Sequence, residues 1–152
     1  MHTISTEILI NASAKVVRAA VLDFESYPEW NPFVKKVKII SEPEPQSVAE
    51  RPQAGSQLEV IVLPEGGSQK TFTTEVLVNT PERFQWIGTL VSTWLFSGRH
   101  SFDFTKIDDN TTKLIQKEEF VGAFVPLIKY ALGGTEEGFN AMNVALKKRV
   151  EL

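Results

Sequence analysis

His100 and Glu118 are the two residues of this sequence best suited to moving a proton. Around His100 the chain alternates. Trp94, Phe96, Gly98, His100, Phe102 and Phe104 share one parity, and Leu95, Ser97, Arg99, Ser101, Asp103 and Thr105 share the other. A strand sends successive side chains to opposite faces, so the aromatic set faces inward and carries His100 with it. Further on, Leu114, Gln116, Glu118 and Phe120 alternate with Lys113, Ile115, Lys117, Glu119 and Val121. Charge favours the second set as the wet face, which turns Gln116 and Glu118 inward. Asp108-Asp109-Asn110 is a short turn, so the two strands are neighbours and His100 and Glu118 can meet. An imidazole beside a carboxylate can move a proton on or off a bound carbonyl compound. Gln116 and Asn143 are suited to orienting that carbonyl or a hydroxyl. The same side chains also suit a buried polar network that satisfies itself and fixes strand register. Residue types and spacing leave three uses open: self-satisfaction, ligand orientation and acid–base catalysis.

Other chemistries find less support. One interior histidine and one carboxylate fall short of a three- or four-ligand metal site. The chain has no cysteine, which excludes disulfides, thiolate metal sites and cysteine nucleophiles. No Ser-His-Asp spacing or phosphate-cradling glycine loop appears, and Gly66-Gly67 reads as a hairpin turn. No cofactor is expected. Trp86 and Trp94, with Phe96, Phe102 and Phe104, suit either a filled core or a cavity for flat or hydrophobic ligands. Trp30 sits between prolines and reads as a packing anchor.

The elements that must position these residues follow from periodicity. Ile4, Thr6, Ile8 and Ile10 alternate with polar neighbours as a half-buried strand. Asn11 or Ser13 caps a helix carrying Val16, Val17, Ala20, Val21 and Phe24 at helical spacing. Tyr27 to Phe33 is limited by its prolines to a turn or a single helical turn. Strands are expected at Val34 to Ile40, Leu58 to Leu63, Lys70 to Val78 and about Phe84 to Thr89. Residues 42–54 read as a solvated loop with three prolines. The segment Leu90 to Leu95 is unusually apolar and reads as a lip or as ordinary rim packing. Pro126 to Val150 reads as one long helix, kinked or broken at Gly133-Gly134. Phe139, Met142, Leu146 and Val150 form its apolar stripe, with Asn143 inside it. That helix either plugs a core or walls a cavity into which Asn143 points. Consecutive strands with short turns give an antiparallel sheet that curls around the helix.

Composition sets the outer bounds. A length of 152 residues suits one domain with its own core. The formal net charge is -3 and there is no long basic run, so nucleic acid is not an expected partner. No stretch approaches 18 apolar residues, so no membrane span is expected. The first residues lack a charged segment followed by an apolar core, so no signal peptide is expected. The lack of cysteine fits a reducing compartment, and a cytoplasmic location is the expectation.

Four stretches carry a family resemblance. Asp23-Phe24-Glu25-Ser26-Tyr27-Pro28-Glu29-Trp30-Asn31-Pro32-Phe33, Phe96-Ser97-Gly98-Arg99-His100-Ser101-Phe102 and Glu118-Glu119-Phe120-Val121-Gly122 are three of them. The fourth is Glu137-Gly138-Phe139-Asn140-Ala141-Met142-Asn143 with its continuation to Lys147. Together they resemble the START-like (SRPBCC) superfamily, most closely its polyketide cyclase/dehydrase-like branch, in the family's order and over nearly the whole chain. The resemblance implies an α+β helix-grip fold over residues 1–152. In that fold a seven-stranded antiparallel sheet wraps a long C-terminal helix, two short helices follow the first strand, and an apolar cavity lies between sheet and helix. The implied function is binding of a small hydrophobic molecule: a lipid, an isoprenoid or an aromatic polyketide-like compound. Trp86, Trp94, Phe96, Phe102, Phe104, Gln116, Phe139, Met142 and Asn143 are then the candidate ligand contacts. A second reading is a metal-free cyclase, dehydratase or isomerase that uses His100 and Glu118 on a carbonyl substrate. A third is a protein-interaction module of the chaperone-cofactor type. The oxygenase subunits that share the fold need iron ligands that His2 and His100 cannot supply.

Overall fold

The computed structural model describes residues 1–44, 51–89, 92, 94–128 and 133–151. These residues form seven strands and four α-helices: β1 (His2–Ile10), α1 (Ala14–Leu22), α2 (Tyr27–Trp30), β2 (Val34–Ser41), β3 (Gln57–Val62), β4 (Lys70–Asn79), β5 (Arg83–Thr89), β6 (Ser97–Asp108), β7 (Thr111–Val121), α3 (Val125–Ile128) and α4 (Thr135–Val150). A single 3-10 turn, Phe24–Ser26, links α1 to α2. All strands join one antiparallel sheet in the order β1-β7-β6-β5-β4-β3-β2. Bulges in the β2–β3, β4–β5 and β6–β7 ladders add local twist, which lets the sheet curl. The concave face holds α4, which lies chiefly over β1. This is the helix-grip fold.

The expected helix over 126–150 is two helices. Gly134 has a φ of 85°, a left-handed conformation that α-helical backbone does not use, and it stands at the N-cap of α4. The break therefore falls at the glycine pair, and α4 begins at Thr135. Ser13, one of the two expected caps, accepts the Val16 N–H at 3.2 Å. At the other end of the grip, Lys147 and the Asn11 N–H both donate to the Glu151 carboxylate. Those contacts, led by Lys147, hold its pKa below the usual carboxylate range. Tyr27 anchors the helical corner. It is fully buried, its hydroxyl donates to the Val21 carbonyl at 2.5 Å, and burial pushes its phenol above the usual range. Trp30 packs edge-on against it and stays partly exposed.

Strand β6 starts at Ser97, later than its alternation suggests. The Ser92 carbonyl accepts from the N–H groups of Leu95 and Phe96, so these residues form a turn. Parity has no meaning in a turn, and Trp94 is 75% exposed instead of facing inward. Leu90 and Val91 of the expected lip, and residues 45–50 of the expected loop, lie outside the described residues.

One glycine fixes how α4 meets the corner. A Cβ at Gly138 would lie 2.2 Å from Cδ1 of Phe33 and 2.5 Å from its Cε1. These are ring carbons of a buried side chain, and the ring is also held edge-on by Phe139. Gly138→Ala gains about 1 kcal/mol of helix propensity. It also forces the Phe33 ring out of a packed site, an overpacking cost of about 1–3 kcal/mol. The expected net is a loss of up to about 2 kcal/mol, read from the urea midpoint. A more stable variant would show that the ring yields freely.

Candidate functional site

The register of the sheet places the inward side chains in rows. One row runs Thr74, Gly88, Gly98 and Phe120 across β4, β5, β6 and β7. The next runs Val76, Trp86, His100 and Glu118. A third contains Phe84, Phe102, Gln116 and Thr6. In the first row two glycines face each other, which removes two side chains from the middle of the concave face. The space they leave belongs to a cavity of about 330 Å³. Val60, Val62, Phe72 and Phe33 supply apolar walls, and Thr135 of α4 also touches it. Trp86, His100 and Glu118 line it beside the glycine pair.

His100 is held on several sides. Its ring lies 5.0 Å from Trp86, 4.8 Å from Phe102 and 4.8 Å from Phe139, centre to centre. Nε2 is 3.0 Å from Oε1 of Gln116. Nδ1 is 3.7 Å from Oε2 of Glu118, an ion-pair distance beyond hydrogen-bond range. The Glu118 carboxylate lies against Gly98, where a Cβ would come within 2.6 Å of Oε1. Any side chain at Gly98 would therefore displace the carboxylate.

Behind His100 the polar groups form a chain. The Thr6 hydroxyl donates to the Gln116 carbonyl at 3.2 Å, and Asn143 Nδ2 donates to Thr6 Oγ1 at 2.9 Å. Gln116 Nε2 donates to Asn143 Oδ1 at 2.7 Å and to the Phe139 carbonyl at 3.4 Å. All of these groups are buried. The chain secures α4 to β1 and β7 as well as supporting the histidine.

The expected site residues thus fall into three groups. Trp86, Phe96, His100 and Glu118 come together on the cavity wall. Phe102, Phe104, Gln116, Phe139, Met142 and Asn143 are buried but do not line it. Asn143 does not point into the cavity, because its amide is used by Gln116 and Thr6. Phe139 and Met142 are completely buried, as core positions of α4. Trp94 belongs to neither group, since the turn leaves it exposed. Thr74 and the glycine pair were missed as site features. The alternation that turned His100 inward also put Gly98 on the inner face, and Gly88 shares the parity of Trp86, so that signal was available. Thr74 is 5% exposed, lines the cavity, and its hydroxyl has no hydrogen-bond partner among the described residues.

Among the described residues no group of three or more histidine, aspartate or glutamate side chains is placed to hold a metal, and no helix is long and apolar enough to cross a membrane.

Solved structures with the same fold cover nearly the whole chain. The Zhui aromatase/cyclase from Streptomyces sp. R1128 is similar at a TM-score of 0.75 and 15% identity, over 99% of this chain and 93% of that one. A START superfamily protein from Mycobacterium smegmatis is similar at a TM-score of 0.70 and 23% identity, over 99% and 98%. Norcoclaurine synthase from Thalictrum flavum, solved with dopamine and hydroxybenzaldehyde, is similar at 0.69 and 14%, over 99% and 86%. No curated protein matches the sequence. One family model, described as polyketide cyclase / dehydrase and lipid transport, matches residues 1–151.

Proposed function

Because the chain belongs to the polyketide cyclase/dehydrase and lipid transport family, we propose that it encloses a small, largely apolar molecule in the cavity over Gly88 and Gly98. The observation that carries this reading is the glycine pair itself. Two adjacent strands place a side-chain-free floor under an apolar space of about 330 Å³, within the range usual for small-molecule sites. Trp86 and Phe120 flank that floor, so a ring-bearing molecule fits better than a branched one. Apolar surface supplies the affinity, and His100, Glu118 and Thr74 supply orientation.

A second reading is favoured by one observation: a histidine and a carboxylate share the wall of that cavity. Acid–base chemistry of the cyclase, dehydratase or isomerase kind then follows. Nδ1 takes a proton from one atom of the bound molecule, Glu118 stabilises the imidazolium, and Nδ1 returns the proton to another atom. Norcoclaurine synthase, with the same fold, has been solved with two small aromatic compounds, which fits an aromatic occupant here.

Native mass spectrometry of the purified protein, followed by extraction under denaturing conditions, tests the binding reading. The expected result is a co-purifying apolar compound, or uptake of an added naphthalene-sized probe at one-to-one stoichiometry. A protein that takes up no apolar probe at all is better explained as an interaction module.

A further inference from the structure

The hydrogen-bond chain behind His100 has only one consistent direction. Two backbone carbonyls, of Gln116 and Phe139, can only accept. The first takes the single Thr6 hydroxyl hydrogen, so Thr6 Oγ1 must accept from Asn143 Nδ2. Asn143 then presents Oδ1 to Gln116, whose amide nitrogen also reaches the Phe139 carbonyl. Gln116 is left with Oε1 facing the imidazole, and an oxygen there requires Nε2 of His100 to carry hydrogen. In the neutral ring Nδ1 is consequently a bare acceptor. It faces Glu118, an acceptor when ionised, at 3.7 Å on the cavity wall.

Two acceptors that close need a hydrogen between them or from a third group. We infer that the cavity selects a molecule presenting a hydrogen-bond donor, a hydroxyl or an amine N–H, to His100 Nδ1 and Glu118 together, in preference to a carbonyl acceptor. This rests on the binding reading and names the polar group that the bound molecule must carry. The expectation of a bound carbonyl follows from residue types alone, whereas the donor preference follows from the direction of the chain through Thr6, Asn143 and Gln116. Those three are positioning residues. They set which ring nitrogen carries hydrogen, and none of them lines the cavity.

The test uses three naphthalenes that differ in one substituent: 2-naphthol, 2-methylnaphthalene and 2-naphthaldehyde. Calorimetric titration should show 2-naphthol binding about tenfold or more tightly than 2-methylnaphthalene, with the aldehyde weakest. Glu118→Met should cut the ratio of 2-naphthol to 2-methylnaphthalene affinity several-fold, with a thermal melt of the same sample showing that the variant folds. A long-range proton–nitrogen spectrum at alkaline pH, where an imidazole is neutral, should show His100 with hydrogen on Nε2. Equal binding of all three probes, tighter binding of the aldehyde, or hydrogen on Nδ1 overturns the donor preference and leaves the cavity reading standing. Failure of every probe, 2-methylnaphthalene included, removes the cavity reading and the donor preference with it.

Discussion

Gly88→Phe should abolish ligand binding without unfolding the protein. A Cβ at this position meets only Cγ2 of Thr74, at 3.6 Å, which is ordinary van der Waals contact. The residue lies within β5 on the inward face, in the row with Thr74 and Gly98. A phenyl ring there enters the space that a ligand ring would occupy. Phenylalanine also suits a strand better than glycine does, and burying the ring contributes about 1.5–3 kcal/mol in place of the bound molecule. The affinity for 2-naphthol should fall about 100-fold or more, equivalent to about 2.7 kcal/mol. The melting temperature should stay level or rise. Calorimetry and a thermal melt on the same sample check both halves. Unchanged affinity in a folded variant would place the ligand elsewhere.

The second large effect is expected from Gln116→Met, which is close to isosteric and removes both polar side-chain atoms at the centre of the chain. His100 loses the acceptor for Nε2–H, and Asn143 Oδ1 loses its donor. Both groups are buried, and an unsatisfied buried group costs about 1–3 kcal/mol. The expected loss is about 2–4 kcal/mol, read from urea unfolding. Adding His100→Phe removes the stranded imidazole donor and places a ring among Trp86, Phe102 and Phe139. Replacing both partners with apolar groups is far milder than stranding one. The double variant should therefore recover part of the lost stability. A double variant less stable than Gln116→Met would mean that the Nε2–Oε1 contact is not the interaction lost.

Much of this was legible in the sequence because period-2 alternation is a direct readout of sheet faces. It turned His100, Gln116 and Glu118 inward, and the short Asp108–Asn110 turn brought β6 and β7 together. The Asn143 position in the stripe of α4 was equally clear as a buried polar residue. What alternation could not give was which buried residues face a space and which face each other. Asn143 and Gln116 point at one another across α4 and β7, a contact between distant segments that no local period encodes. Trp94 fails for the opposite reason. Its parity was extrapolated through residues that turn instead of extending, so the rule was used beyond the ladder that gives it meaning. The cavity was hidden in the glycines. A residue without a side chain carries no hydrophobic signal, and its effect appears only when register sets Gly88 beside Gly98.

The most direct test of the central claim is a crystal structure of the protein grown with 2-naphthol. The account predicts the ring over Gly88 and Gly98, beside Trp86, with the oxygen within hydrogen-bond distance of His100 Nδ1 or Glu118. A probe bound on the outer surface, with nothing between Trp86 and Phe120, would contradict it.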